Sequence, residues 1–191
     1  MFHRIFGAER AAAADHAEAA LTEAQTLAGD TASVRRIVSR LEAMPIDQAR
    51  LVAAAAYTIA RAAYADLDIS PEETAVIERQ LQEHELLDEP TAVLVTEMAK
   101  LQAKTVGGTE DYVVTRELKS LASPEQRLDV VRACFAVSAA DDSISSEESA
   151  VVNEIANELD IDPSDLAALR DEYHDRLSAV REVRRRAGLD A

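Results

Sequence analysis

The sequence predicts an all-α protein, a helical bundle of about eight helices, and three observations lead to this fold class. The chain is rich in Ala but has only 5 Gly in 191 residues, and Ala gives up least and Gly most on entering a helix. Apolar residues recur at helical spacing, and no segment shows sustained alternation of period two. Finally, a helix–acidic loop–helix unit occurs twice.

The repeated unit is centred on residues 65–77, Ala-Asp-Leu-Asp-Ile-Ser-Pro-Glu-Glu-Thr-Ala-Val-Ile. It returns at residues 140–152 as Ala-Asp-Asp-Ser-Ile-Ser-Ser-Glu-Glu-Ser-Ala-Val-Val, so each residue is followed by its counterpart 75 positions later. Self-similarity at a fixed spacing indicates that one supersecondary unit has been used twice.

The helices can be delimited in order along the chain from their capping residues and from the Pro and Gly residues that interrupt them. Pro45 ends a preceding helix and Asp47 is expected to cap the first helix of the first repeat. Gly107-Gly108 predicts a turn between the halves, Ser123-Pro-Glu-Gln predicts a helix start, and the helix after Asp162 is expected to continue into the basic tail. We divide the chain into an N-terminal arm and helical extension (1–46), a duplicated helical domain (47–180, with copies at about 51–104 and 126–175), and a basic tail (181–191).

Charge and composition limit the partners. A net charge of −16 argues against nucleic acid and anionic lipid, since both repel an acidic protein. It fits a cation, a basic protein surface or simple solubility. A single cysteine, Cys134, suits a reducing compartment, so we expect a cytoplasmic protein. No apolar run is long enough to span a membrane, which leaves peripheral contact at most. The basic cluster Arg181–Arg186 is a solvated tail or a means of self-association.

Both acidic loops end in the pattern of a capping box. In Ser70-Pro-Glu-Glu73 and Ser145-Ser-Glu-Glu148, the Ser hydroxyl is expected to accept from the third helical amide, while the Glu side chain accepts from the Ser amide. Capping explains these four residues without any ligand.

Capping does not require the aspartates upstream of each box, Asp66, Asp68, Asp141 and Asp142. Carboxylates crowded on a short loop repel one another unless water, a basic side chain or a cation relieves them. Such oxygen-rich clusters suit Ca²⁺ or Mg²⁺. The first loop nevertheless departs from an EF-hand, because Pro71 stands where that motif needs Gly.

The pattern Ala-Asp-x-x-Ile-Ser-x-Glu-Glu, present twice after an Ala-rich helix, resembles the TerB-like family linked to tellurite resistance, over about residues 47–175. The resemblance implies an all-helical fold, a stress-related role, and acidic loops that bind divalent metal or protein partners. The family has Gly after the first Asp, whereas this chain has Leu67 and Asp142. Because Leu resists positive φ, the first loop must turn differently or be strained.

We therefore predict a non-enzymatic stress-response module for tellurite or metal stress, whose acidic loops bind a divalent cation or a basic protein partner. The alternative is a structural or adaptor domain in which the acidic motifs only cap helices. A metal-dependent hydrolase would need a base or nucleophile beside the carboxylates, and none accompanies them. Zinc is not expected, since the four histidines lack ligand spacing. The candidate cation ligands are Asp66, Asp68, Glu72, Glu73, Asp141, Asp142, Glu147 and Glu148.

Overall fold

A computed structural model describes residues 39, 42–83, 87–106, 108 and 110–187. The chain divides into two compact units, Met1–Ala43 and Met44–Ala191. The predicted arm and most of the helical extension lie outside the described residues, as do the last four residues of the tail. In the described part of the second unit there are eight α-helices: α1 (Ile46–Ala63), α2 (Pro71–Glu83), α3 (Glu89–Val106), α4 (Asp111–Leu121), α5 (Pro124–Ser138), α6 (Ser146–Glu158), α7 (Pro163–Glu172) and α8 (Ser178–Arg186). The predicted all-α bundle is confirmed.

Helix α1 lies at the centre of the bundle and packs against α3, α4 and α5. Its buried face is built largely from alanines, namely Ala54, Ala55, Ala56, Ala60, Ala62 and Ala63, whose small side chains allow neighbouring helices to approach closely. The helix begins two residues earlier than expected, with Pro45 at the N-cap and no side-chain cap. Asp47 is therefore not the cap, and it instead pairs with Arg50 at 3.1 Å.

Helix α5 begins as its sequence predicts. Ser123 accepts from the Gln126 amide, the Gln126 side chain accepts from the Ser123 amide, and Pro124 follows the cap. Farther along this helix, Cys134 is completely buried and packs as a small apolar residue of the core.

The third helix differs between the two repeats. In the first repeat α3 runs unbroken over 18 residues. In the second repeat α7 ends at Glu172, a 3₁₀ turn follows at His174–Arg176, Leu177 is extended, and α8 then begins. The expected continuation of α7 into the basic tail is thus wrong, since the chain turns and crosses back to the second acidic loop. There Leu177 forms a parallel β-bridge with Ile144.

None of the helices in the described residues is both long and apolar enough to cross a lipid bilayer.

Candidate functional site

The two acidic loops lie against each other, which sequence reasoning left open. Loop 1 is residues 66–70, between the 3₁₀ turn Tyr64–Asp66 and α2, and loop 2 is residues 141–145, between α5 and α6. They touch directly, because the Ser70 hydroxyl donates a hydrogen bond of 3.3 Å to Asp141 Oδ1. The repeated motif therefore forms one paired surface.

Both predicted capping boxes are present, with the same geometry. In loop 1 the Ser70 amide donates to Glu73 Oε2 at 2.7 Å, and the Glu73 amide donates to Ser70 Oγ at 3.1 Å. In loop 2 the corresponding bonds between Ser145 and Glu148 measure 2.7 and 3.1 Å. The two glutamates are 7% and 6% exposed, so both carboxylates belong to the packed base of the loops.

Burial raises the pKa of both glutamates. For Glu73 the loss of solvent outweighs the two bonds from Ser70, the charges of Glu148 and Asp141 add to it, and the pKa reaches about 7. Burial likewise raises the pKa of Glu148, with the charge of Asp66 contributing in the same direction. The pKa of each buried glutamate is thus raised in part by the charge of an aspartate in the other loop.

Each loop turns through a left-handed residue at the position after the first aspartate. Leu67 has φ of 74° and Asp142 has φ of 67°. Asp tolerates this region, whereas for Leu it costs about 1–2 kcal/mol. The Leu67 side chain is 74% exposed, so packing does not offset the cost. Of the two expectations for loop 1, the strained turn is the one observed.

The remaining predicted ligands are solvent-exposed side chains on the rim of the pair: Asp66, Asp68, Glu72, Asp141, Asp142 and Glu147. Asp66 Oδ1 accepts from the Asp68 amide at 3.1 Å, which closes loop 1 on itself. Among the described residues, no three or more His, Cys, Asp or Glu side chains converge in an arrangement that could hold a metal ion. As arranged here, the carboxylates make a negative surface and do not form a coordination shell.

Loop 2 is held by the segment that follows α7, which we call the strap (residues 173–181). The Ile144 amide donates to the Arg176 carbonyl at 2.8 Å, and the Ser178 amide donates to the Ile144 carbonyl at 2.9 Å. Arg176 Nη1 donates to the Ala139 carbonyl at 2.8 Å and lies 3.4 Å from Asp142 Oδ1. Arg181 Nη1 donates to the Asp142 carbonyl at 2.9 Å. Two guanidinium groups thus contact loop 2 at Asp142, one at its carboxylate and one at its carbonyl.

Sequence reasoning missed a buried ionic cluster around Arg61, close to the start of loop 1. Its guanidinium, 9% exposed, lies 2.8 Å from Glu158, 2.9 Å from Glu154 and 3.4 Å from Asp111. Thr115 and Tyr57 complete the cluster by donating to Glu158 and Asp111. The available signal was Arg61 itself, the one Arg within the Ala-rich residues 51–63 of α1, since such a residue needs acidic partners when it is buried.

Fold and site together define a class: a helical bundle with an internal duplication, in which two capped acidic loops meet at one surface. The sequence profile of the family described as "Tellurite resistance protein TerB" matches residues 52–171, more than half of the chain. The protein belongs to this family. No curated protein and no solved structure matches the chain.

Proposed function

We propose that this protein is a non-enzymatic TerB-type binding module acting in the cytoplasm in tellurite or metal stress, and that its paired acidic loops bind a basic protein segment. The observation that supports the basic partner is the state of loop 2, where Arg176 and Arg181 of the same chain contact the carboxylate and the carbonyl of Asp142. Guanidinium groups form strong, directional hydrogen bonds to such oxygens. A basic segment from elsewhere would meet the same chemistry.

The state of the cysteine and of the two buried loop glutamates in the described chain supports the non-enzymatic part of the proposal. In the described chain, Cys134 is completely buried, and burial raises the pKa of its thiol to about 12, so it is a poor nucleophile. The buried glutamates of the loops are engaged in helix caps. This leaves a charged surface that is suited to binding.

A divalent cation, Ca²⁺ or Mg²⁺, is the second candidate ligand of the loops. The observation that favours it is like-charge crowding, since the charges of Glu148 and Asp141 both raise the pKa of Glu73. Carboxylates that repel one another in this way gain from a shared cation. The rim aspartates would have to move toward a common point, because no such convergence is present among the described residues.

The test is thermal unfolding of EDTA-treated protein alone, with millimolar Ca²⁺ or Mg²⁺, and with a decamer of arginine. A ligand that binds only the native state raises the midpoint by mass action. We expect the arginine decamer to raise it, and Asp66→Asn/Asp141→Asn to lose most of the rise.

The matched control is Asp165→Asn/Asp171→Asn, which removes the same charge from exposed positions of α7. If the rise in midpoint were reduced equally in both variants, the decamer would be responding only to the net charge of the protein. A rise with Ca²⁺ or Mg²⁺ alone would select the second candidate. No rise with any ligand would leave helix capping as the whole role of the motifs, as in a purely structural or adaptor domain.

A further inference from the structure

The duplication places an equivalent groove beside each acidic loop. The groove beside α2 has a volume of about 430 Å³ and is lined by Ile69, Pro71, Thr74, Ala75, Glu78 and Lys100. The groove beside α6 has a volume of about 330 Å³ and is lined in part by Ile144, Ser146, Ser149, Ala150 and Asn153. These five residues follow the first five of the α2 groove by 75 positions each, so the two grooves are copies of one feature.

The α6 groove is bounded by the strap and the residues beside it. Leu177, Ser178 and Ala179 line it, together with Arg170 of α7. The strap forms hydrogen bonds to both the amide and the carbonyl of Ile144. Arg170 donates a hydrogen bond to Asn153. In the second repeat, an arginine-bearing segment therefore lies along the loop and the groove, with Leu177 extended between a 3₁₀ turn and the start of α8.

Among the described residues, no such segment lies along the α2 groove, because α3 continues as a helix where the second repeat breaks. The counterpart of Ile144 is Ile69, and in the described chain neither its amide nor its carbonyl has a hydrogen-bond partner. Backbone groups of this kind normally find a partner when they leave water. The backbone amide and carbonyl of Ile69 in loop 1 thus correspond to those of Ile144 in loop 2, but they have no hydrogen-bond partner among the described residues.

Charge around the α2 groove favours a basic occupant. Within the described residues no ion pair engages Asp66, Asp68, Glu72 or Glu78. The lysine that lines the groove, Lys100, is itself paired with Glu97 at 2.8 Å. Glu78 stands where the second repeat has Asn153, the acceptor for Arg170, so the first groove is more acidic than its copy.

We propose that the α2 groove and loop 1 form a docking site for an arginine-bearing segment of another protein, in which one extended residue pairs with Ile69 as Leu177 of the strap pairs with Ile144. The proposal rests on the proposed function and specifies its partner and place. An edge of this type binds an extended segment through main-chain hydrogen bonds, and side-chain contacts provide specificity. In the strap the pattern is Arg176-Leu-Ser, followed by Arg181.

A second copy of this chain is a poorer occupant than another protein. Its own arginine-bearing segment is already bound to its own loop 2, and two chains with a net charge of −16 each repel one another.

The experiment uses a fluorescein-labelled peptide with the sequence of residues 173–182, Tyr-His-Asp-Arg-Leu-Ser-Ala-Val-Arg-Glu, added to the full chain and followed by fluorescence anisotropy. We expect saturable binding that weakens at least tenfold when both arginines of the peptide are Ala. Ala75→Tyr, which fills the α2 groove without changing charge, should also weaken it about tenfold. Both Ala75 and its counterpart Ala150 are exposed helical positions, so Ala150→Tyr is the matched control and should bind the peptide as the unmodified chain does.

Three results would overturn the proposal. Loss of binding in Ala150→Tyr but not in Ala75→Tyr would mean that the peptide exchanges with the strap at loop 2. Binding that resists Ala75→Tyr but is lost in Asp66→Asn/Asp141→Asn would keep the basic-partner function and reject the groove. A dimer in sedimentation equilibrium that Ala75→Tyr dissociates would assign the groove to a second copy.

Discussion

Loops 1 and 2 have nearly the same local geometry in different surroundings. Both turn through a left-handed residue, and both close with a capping box of the same bond lengths. Within the described part of the chain, guanidinium groups and a backbone bridge cover loop 2 and not loop 1. The comparison shows that the repeated sequence sets the shape of each loop, while the continuation of the third helix decides whether that loop is covered.

The helices that lead into the loops differ as well. The counterpart of Arg61 in α1 is Ala136 in α5, so among the described residues a buried ionic cluster anchors the helix that enters loop 1 and has no counterpart at the helix that enters loop 2. Arg61 reaches from α1 to Glu154 and Glu158 of α6, and thereby ties the entry helix of loop 1 to the helix that leaves loop 2. The two loops themselves are equivalent, but different contacts hold them in place: the Arg61 cluster lies at the entry to loop 1, and the strap lies against loop 2.

The largest expected effect comes from removing this anchor. Arg61→Ala would leave Glu158 and Asp111 without their basic partner in a mostly buried place, and the loss of one partner of such a pair costs about 3–5 kcal/mol. Urea unfolding measures the cost. Arg79→Ala, on the exposed face of α2, is the control and should change stability little. A cost below about 1 kcal/mol for Arg61→Ala would show that the cluster is not an anchor.

An intermediate effect is expected from the buried carboxylate of loop 1. Since the folded-state pKa of Glu73 is about 7, well above the usual value, the folded chain holds a proton that the unfolded chain has released. The free energy of unfolding should therefore fall as pH rises from about 4.5 to 7, by about 2 kcal/mol for this residue. Glu73→Gln should remove that part of the fall.

The substitution leaves the cap intact, because the chain already uses Gln in the equivalent position of the Ser123 box. Urea unfolding at pH 5 and pH 8 gives the comparison, with Glu72→Gln, on the exposed side of the same turn, as the control. If the free energy of unfolding of Glu73→Gln changed with pH in parallel with that of the unmodified chain, the raised pKa would be contradicted. Glu148→Gln should act in the same direction, since burial raises the pKa of Glu148 too.

The smallest effect concerns the left-handed residues. Leu67→Gly should stabilise the chain by about 1 kcal/mol, because Gly enters this region without strain and the Leu67 side chain is largely exposed. Asp142→Gly should gain less, since Asp tolerates the conformation and its carboxylate faces Arg176. Thermal unfolding of the two variants gives the ranking. A loss of stability in Leu67→Gly would mean that Leu67 makes a contact outside the described residues.

The sequence alone determined the features that depend on neighbouring residues. Helix class follows from composition and apolar spacing, the three capping boxes follow from Ser and Glu or Gln three positions apart, and the duplication is visible by comparing the chain with itself. The same information predicted that Leu67 would be strained or would turn differently. It failed at Asp47, where Pro45 took the cap position, and after Glu172, where the helix was expected to continue.

Only the tertiary structure decided what depends on residues far apart in the chain. The contact between Ser70 and Asp141, the pairing of Arg61 with α6, and the return of the strap to Ile144 join positions separated by more than 30 residues. Local sequence preferences do not determine which of these distant residues meet, because their contacts depend on how the helices pack and bury their apolar faces. Whether a repeated acidic loop is open or covered is therefore a property of the fold, even though its shape is set by its sequence.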